Sequence, residues 1–327
     1  MIFLPLFSDE FERIIEPYDL EGSIVVAVSG GADSLALVLL IHEWAISRAV
    51  KIIGVTVDHR LRTESAEEAA LVHTWLKDRG IEHHTLVWQH SGVTSALQQK
   101  ARSARYELIS NWCSSRQVTT VLTAHHLGDQ WETFLMRLSK GSGLTGLCCI
   151  KSESNLGGLR LIRPLLQVRA ERLERTLERF NQPFIKDPSN YKLEYTRVRM
   201  RNLLSVLSDE GLTPETIDQV RKRFQLTEDY LDQQLQIAFA ECVKDERYIN
   251  LAVFKTLHKE MAYRLLRHSL LKIGGHIYPL PYQSLELLYE KLISKDFVGA
   301  TAGGCYLKRS KGGWIDIKCE KRDKILQ

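Results

Sequence analysis

Short β-branched runs alternate with longer helical patterns along the first part of this chain, and no other feature constrains its fold as strongly. The strand-like runs cover residues 23–28, 51–58, 83–88 and 119–124, and the helix-like stretches between them cover residues 35–46, 65–79 and 94–116. Strands that alternate with helices in this way form a parallel sheet covered on both faces, and ligands bind at the carboxyl ends of its strands. The sequence therefore predicts an α/β fold built on a doubly wound parallel sheet.

The alternation of strands and helices stops beyond about residue 204. Pro214 has the position of a first-turn proline in a helical pattern that continues to Val243. Because 327 residues exceed one ordinary domain, we predict a catalytic domain over residues 1–208 and a smaller, mostly helical domain over residues 209–327. Alternating residues and glycines between positions 303 and 317 indicate a small hairpin.

Positive charge is concentrated in two segments of the chain. Residues 160–201 contain eleven Lys or Arg and five Asp or Glu, and residues 308–324 contain seven and three, whereas the whole chain has a formal charge of only +4. Charge separated in this way suits a polyanion bound across part of the surface. Solvated helix faces give the same count, so composition leaves both interpretations open.

The cysteines and the apolar segments are typical of a protein from a reducing compartment. None of the six cysteines is spaced as C-x-x-C, which argues against a structural zinc site and a disulfide framework. The first residues lack the cationic start and the cleavage site of a signal peptide. The longest apolar run, residues 35–41, is far shorter than the roughly 20 residues that span a bilayer. We expect a cytoplasmic protein without a membrane partner.

A glycine-rich run between the first strand and the first helix is the strongest functional signal. It consists of Ser29, Gly30, Gly31, Ala32, Asp33 and Ser34. Backbone N–H groups of such a loop and of the following helix can hold phosphate oxygens, and the Asp33 carboxylate can hold a magnesium ion on them. The run lacks the lysine of G-x-x-x-x-G-K-[ST] and the spacing of G-x-G-x-x-G. The alternative is an ordinary glycine turn before a helix.

The S-G-G-x-D-S pattern of this run resembles the PP-loop of the ATP pyrophosphatase superfamily, whose members split ATP between its α and β phosphates. Later segments resemble, in the same order, the bacterial tRNA(Ile)-lysidine synthase family. They are V-D-H-R-L-R at 57–62, T-A-H-H-L-G-D-Q-W-E-T at 123–133, G-S-G at 141–143, R-P-L-L at 163–166, D-P-S-N at 187–190, and Tyr195, Arg197, Arg199, Arg201 and Asn202. Gly128 and Val198 depart from the family pattern, in which an aspartate and an asparagine are common at these positions.

The resemblance implies a ligase that uses ATP and Mg²⁺ and modifies a tRNA. In the family's reaction, ATP adenylates the C2 oxygen of the wobble cytidine in the isoleucine tRNA with a CAU anticodon. The side-chain amine of free L-lysine then displaces AMP, which gives lysidine and changes the codon read from AUG to AUA. The implied partners are this tRNA and free lysine, and residues 209–327 resemble, more weakly, the family's tRNA-contacting domain. The sequence leaves the oligomeric state open, with a homodimer as one alternative.

The resemblance also implies roles in the ATP chemistry. Asp33 is expected to be catalytic and to bind the metal, and Arg105 is expected to face the phosphates. We assign Asp129 to orienting the lysine amine and accepting its proton, because an ammonium cannot attack until it is deprotonated. We interpret His125 as a structural or nucleotide-adjacent residue at a strand end.

The remaining roles concern the two substrates. Glu132 shares a helix face with Asp129 and is expected, together with Arg197, to hold the lysine. Arg199 and Arg201 are expected to contact the tRNA. Arg105 and Arg197 have a second interpretation as surface residues of amphipathic helices.

Two other classes of protein stay open. Another PP-loop enzyme would share the phosphate loop, but a cytidine-type tRNA thiolase would carry C-x-x-C ligands for an iron–sulfur cluster, and this chain has none. An amide-forming synthetase would not need the basic residues between 160 and 201. A non-catalytic RNA-binding protein could keep a nucleotide as a structural ligand, and the retention of Asp33, Asp129 and Glu132 argues against it.

Overall fold

The computed structural model describes residues 3–90, 97–187, 194, 196–275 and 280–320. The chain divides into two compact units, Met1–Phe224 and Gln225–Gln327. The functional boundary expected between residues 208 and 209 stays a prediction. Across the described ranges, no helix is both long enough and apolar enough to cross a membrane.

A six-stranded sheet forms the centre of the first unit. Its strands are β1 (Gly22–Ala27), β2 (Val50–Asp58), β3 (Glu82–Val87), β4 (Thr120–Leu122), β5 (Glu153–Leu156) and β6 (Leu159–Ile162). They lie in the order β3-β2-β1-β4-β6-β5, and every neighbouring pair is parallel except β5 and β6. The predicted doubly wound parallel sheet is confirmed. The antiparallel β5–β6 hairpin, which turns through Gly157 and Gly158 at positive φ, was not predicted.

Helices of the first unit cover both faces of this sheet. They are α1 (Ser8–Ile15), α2 (Ala32–Ala45), α3 (Ser65–Asp78), α4 (Leu97–Ser114), α5 (Leu127–Leu138), α6 (Leu144–Leu147), α7 (Ala170–Arg179), α8 (Thr196–Asn202) and α9 (Leu204–Asp209). Alternation along β1 sends Ile24 and Val26 into one core, shared with α2 and α7, and Val25 into another, shared with Ile109 of α4. Each large apolar side chain buried in this way stabilises the unit by roughly 1.5–3 kcal/mol.

The second unit combines helices with a small antiparallel sheet. The long helix α10 (Pro214–Cys242) runs across the boundary, and α11 (Leu251–Phe254), α12 (Lys259–Gly274) and α13 (Tyr282–Ile293) follow. The strands are β7 (Val243–Lys244), β8 (Tyr248–Asn250), β9 (Gly299–Ala302), β10 (Cys305–Ser310) and β11 (Trp314–Cys319), in the order β7-β8-β11-β10-β9. The predicted hairpin is confirmed as β10–β11, but it belongs to a larger sheet that was not predicted. Apolar residues of α12 pack against its inner face.

An arginine and two glutamates form an ion-pair group in the second unit, the α10–α12 cluster. Its members are Glu228, Glu260 and Arg264. Arg264 Nη2 lies 2.8 Å from Glu228 Oε2, and Arg264 Nε lies 2.9 Å from Glu260 Oε1. The Arg264 side chain is only 10% exposed and that of Glu228 only 4%. Burial lowers the pKa of Arg264, yet the bonds to the two glutamates outweigh this effect and leave its pKa raised.

All six cysteines are free thiols. Burial raises the pKa of Cys113, Cys242 and Cys305 to about 11 and that of Cys149 to about 12. Cys319, at the end of β11, is exposed. These four thiols are therefore protonated at neutral pH.

Candidate active site

The glycine-rich run forms the turn from β1 into α2. Gly31 is the N-cap of α2 and, having no side chain, it leaves the first-turn N–H groups without a side-chain acceptor. The Ser34 hydroxyl donates to the Gly31 carbonyl at 3.0 Å and accepts from Ser29 N–H at 3.1 Å, which closes the loop on itself. A helix N-terminus with unsatisfied N–H groups is a site for phosphate.

Gly30 is required by both conformation and packing. Its φ is +85°, in the left-handed region that favours glycine. A Cβ on Gly30 would lie 2.7 Å from Ile185 Cδ1 and 2.9 Å from Val72 Cγ2. The Gly30 carbonyl accepts a hydrogen bond from Ile185 N–H at 2.9 Å. The hydrogen bond from Ile185 therefore holds the loop in place and fixes the positions of its N–H groups.

Two aspartates meet at the carboxyl ends of the neighbouring strands β1 and β4, and His126 lies between them. His126 Nε2 is 3.7 Å from Asp33 Oδ2 and 3.7 Å from Asp129 Oδ2. His126 is the N-cap of α5, and its Nδ1 accepts from Gly128 N–H at 3.0 Å. Because Nδ1 accepts this hydrogen bond, the ring N–H is on Nε2. That N–H is therefore on the nitrogen nearest to both carboxylates.

The two aspartates differ in acidity. Burial raises the pKa of Asp33, and the nearby Asp129 adds to the rise against the opposing effect of His126. Burial acts on Asp129 as well, but His126, His125 and Arg197 outweigh it and lower the pKa of Asp129. Asp129 also accepts a hydrogen bond from His126 N–H at 3.0 Å, which completes a capping box on α5. Asp129 is thus the more firmly ionised group of the two, and Asp33 gains most from an added cation.

These carboxylates fit a magnesium ion that arrives with a nucleotide. No group of three or more His, Cys, Asp or Glu side chains suited to a metal occurs in the part of the chain that the structure describes. Magnesium commonly takes one or two carboxylates and completes its shell with substrate phosphates and water. Asp33, whose side chain is 39% exposed beside the phosphate loop, suits that arrangement.

A second charged group, the α5–α8 cluster, lies one helical turn along α5 and consists of Glu132, Arg197 and Arg201. Arg201 Nε donates to Glu132 Oε1 at 2.7 Å, and Arg201 Nη2 lies 2.6 Å from the same oxygen. Arg197 Nε lies 3.1 Å from Oε2. The Glu132 side chain is only 3% exposed, whereas Arg197 and Arg201 are 44% and 47% exposed. Burial raises the pKa of Glu132, and the two arginines offset part of this rise.

The other two predicted arginines lie in different surroundings. Arg199 donates to the Glu194 carbonyl at 2.9 Å and to Thr196 Oγ1 at 3.0 Å, so it contacts the start of its own helix. Arg105 Nη2 lies 3.4 Å from His59 Nε2, just beyond the carboxyl end of β2. Burial and Arg105 lower the pKa of His59 to about 4. The neutral imidazole can therefore accept from the guanidinium.

His126 and Gly128 are site residues to which sequence reasoning assigned no role, although it noted Gly128 as a departure from the family pattern. A Cβ on Gly128 would lie 2.8 Å from His126 Cε1, so the glycine makes room for the imidazole. The departure from the family pattern at position 128 thus has a steric role in this chain. A capping-box spacing from His126 to Asp129 was the available signal. His125 bonds to Thr123 Oγ1 at 3.0 Å, and burial lowers its pKa to about 4.

Tyr195 and residues 188–190 of the motif lie outside the described residues.

A further hydrogen-bond chain reaches the strand that precedes the phosphate loop. Thr56 Oγ1 donates to the Val28 carbonyl at 2.8 Å and lies 2.8 Å from His83 Nε2. Because the hydroxyl proton is used on Val28, His83 Nε2 must be the donor to Thr56. His83 Nδ1 lies 3.2 Å from His73 Nδ1. Burial, with the nearby His73, lowers the pKa of His83 to about 4.

Comparison with known proteins places this geometry in a family. Residues 5–207 match the family described as a PP-loop domain. The tRNA(Ile)-lysidine synthase of Wolbachia sp. subsp. Brugia malayi is 34% identical over 91% of this chain and 71% of its own length. That of a Bradyrhizobium sp. is 34% identical over 92% of this chain and 87% of its own. A solved structure, the U34-tRNA thiolase from Methanococcus maripaludis with its [4Fe-4S] cluster, has a TM-score of 0.56 at 17% identity, over 66% of this chain and 77% of the thiolase. At that identity the likeness concerns the fold alone.

Proposed function

The chain belongs to the tRNA(Ile)-lysidine synthase family of PP-loop enzymes, and on this premise we propose that it ligates free L-lysine to the wobble cytidine of the isoleucine tRNA with a CAU anticodon. The observation that carries the proposal is the pair Asp33 and Asp129, which meet at His126 beside the phosphate loop. Asp33 serves the nucleotide, and Asp129 serves the amine of lysine.

The first step activates the base. The C2 oxygen of cytidine attacks the α-phosphorus of ATP, the bond to the β-phosphate breaks, and pyrophosphate leaves. The N–H groups at the start of α2 hold phosphate oxygens, and Arg105 faces the phosphates. Asp33 would hold Mg²⁺, and the ion would neutralise charge that develops on the leaving pyrophosphate. Adenylation must come first because a carbonyl-type oxygen leaves poorly until it is part of a phosphate ester.

The second step replaces the activated oxygen by nitrogen. The lysine side-chain amine attacks C2, the bond from C2 to oxygen breaks, and AMP carries that oxygen away while the amine releases a proton. Asp129 binds and orients the amine and accepts its proton, and its lowered pKa keeps the carboxylate ionised for both roles. Glu132 takes the α-ammonium group of lysine, and Arg197 takes the lysine carboxylate.

The rest of the proposal concerns the tRNA contacts, the cellular compartment and the oligomeric state. Arg199 and Arg201 contact tRNA phosphates, supported by the concentration of positive charge between residues 160 and 201. Six free thiols support a reducing compartment, and we propose that the enzyme works in the cytoplasm. A homodimer stays a prediction.

A turnover assay with defined omissions tests this function. The purified chain is supplied with ATP, Mg²⁺, CAU-anticodon isoleucine tRNA and lysine, and the release of AMP and pyrophosphate is measured with each substrate omitted in turn. We expect pyrophosphate release to require the tRNA and full AMP release to require lysine as well. Asp33→Ala is the control without activity and should keep the wild-type melting temperature. Product release that is independent of tRNA, or that uses ammonia in place of lysine, would reject the proposal.

A further inference from the structure

Glu132 is already paired with Arg197 and Arg201, and these contacts conflict with its proposed role of holding lysine. Two guanidinium groups hold the buried Glu132 carboxylate, and Asp129 lies close enough to raise its pKa. An ammonium group that approached Glu132 would meet Arg197 at one carboxylate oxygen and Arg201 at the other. Arg201 already occupies Oε1, so an ammonium group that takes both oxygens has to displace it.

Geometry indicates that the cluster can exchange a partner. Glu132 Oε2 is buried, and within the described residues it has no hydrogen bond, since the contact from Arg197 at 3.1 Å lacks hydrogen-bond geometry. A buried acceptor without a donor is costly, so Oε2 would gain from a new N–H. Arg201 uses both of its contacting nitrogens on Oε1, although almost half of its side chain faces solvent. Arg201 is therefore within reach of an external anion.

We propose that Arg201 is an exchangeable partner of Glu132: a tRNA phosphate draws Arg201 outward, and the α-ammonium group of lysine replaces it. This inference rests on the function proposed above. The exchange conserves charge at Glu132, because one cation replaces another, while the guanidinium gains a phosphate that it can bind through two N–H groups. Lysine binding thereby becomes dependent on bound tRNA, and by linkage tRNA affinity rises with lysine to the same extent.

Equilibrium dialysis with radiolabelled lysine tests the exchange in the full-length protein, without ATP so that no turnover occurs. We expect wild-type protein to bind lysine about tenfold more tightly when the CAU-anticodon isoleucine tRNA is present. Arg201→Gln should bind lysine without tRNA as tightly as the wild type does with it, and tRNA should add less than twofold. Arg48→Gln is the matched control: its guanidinium also pairs with a glutamate, Glu12, but it lies beyond the C-terminal end of α2, so the tRNA dependence of this variant should equal that of the wild type.

The possible outcomes distinguish a failure of this inference from a failure of the proposed function. If lysine binds wild-type protein equally well with and without tRNA, the exchange does not occur, and this holds even if Arg201→Gln fails to fold. If Arg201→Gln folds but binds lysine more weakly in both conditions, Arg201 is a fixed anchor for α8 and the inference is wrong. If lysine binds under no condition and AMP release is independent of lysine, the proposed function itself has failed.

Discussion

The α5–α8 cluster and the α10–α12 cluster use the same components in opposite ways. Each contains a nearly inaccessible glutamate, Glu132 at 3% and Glu228 at 4% side-chain exposure. In the α10–α12 cluster the arginine is buried too, at 10%, and it meets Glu228 and Glu260. In the α5–α8 cluster both arginines are almost half exposed. The two clusters therefore differ in the accessibility of the arginines and not in the burial of the glutamate.

The comparison implies that changes near the α5–α8 cluster should alter chemistry, whereas changes in the α10–α12 cluster should alter stability. Removing one partner of a buried pair costs about 3–5 kcal/mol, because a desolvated charge is left behind. A half-exposed arginine is replaced in part by water, which reduces that cost.

The largest expected effect is that of Asp129→Asn on lysine transfer. The amide keeps the shape and can still accept from His126 N–H, but it loses the negative charge that holds the amine and the capacity to take its proton. Transfer should fall by roughly 10²- to 10⁴-fold, and adenylation should fall less. Single-turnover assays should show adenylated tRNA accumulating, with partial recovery in excess lysine at raised pH. Equal loss in both steps without recovery would make Asp129 a positioning residue only.

Arg264→Met tests the expectation that the α10–α12 cluster affects stability and not chemistry. It should lower the free energy of unfolding by about 3–5 kcal/mol, because Glu228 keeps its burial and loses its arginine. Activity of the remaining folded protein should stay within about twofold of the wild type, a change under 0.5 kcal/mol in the barrier. Lys272→Met is the control: it removes an exposed pair with Glu246 and should cost under about 1 kcal/mol. Urea unfolding measures the free energy of unfolding of both variants, and equal losses would contradict the expected difference between a buried and an exposed ion pair.

The stability of the protein in acid is expected to depend on His83, a buried residue that belongs to neither cluster. Its pKa is about 4 in the folded protein against an ordinary value of 6.5, so between these values the unfolded chain binds a proton that the folded chain does not. Stability from this group is fully present above pH 6.5 and is lost as the pH falls towards 4, at up to about 1.4 kcal/mol per pH unit. His83→Gln should make the slope of unfolding free energy against pH shallower by about one proton. An unchanged slope would mean that His83 protonates freely in the folded state.

The smallest expected effect is that of Gly128→Ala, which sharpens the comparison within α5. The new Cβ would lie 2.8 Å from His126 Cε1 and should turn the imidazole away from Asp33 and Asp129. We expect kcat to fall roughly tenfold, about 1.4 kcal/mol in the barrier. Gly143→Ala at the N-cap of α6 meets no atom within 4 Å and serves as the control. Normal activity in Gly128→Ala would show that the position of His126 is unimportant.

Much of the first unit could be predicted because its pattern is local. The strands β1 to β4 are apolar and separated by long helices, so each element is readable from a short stretch of sequence. The meeting of Asp33 and Asp129 also follows, since each residue comes after one of two strands that lie side by side in the sheet. The wider sheet of the second unit could not be predicted, because strands such as β7 and β8 have only two or three residues.

The pairing of Glu132 with Arg201 lies beyond sequence reasoning for a different reason. The two residues are 69 positions apart, and their contact depends on where α8 packs against α5. Sequence reasoning assigned Glu132 to lysine and Arg201 to tRNA, and these roles stay predictions. The structure adds that the two side chains contact each other, which no spacing rule indicates.

The thiols have a practical consequence for experiments on this molecule. Alkylating and oxidising reagents react with thiolates, and burial keeps Cys113, Cys149, Cys242 and Cys305 protonated far above physiological pH. Cys319, exposed at the end of β11, offers a position for attaching a fluorophore without first removing these four. A dye placed there would report on the second unit.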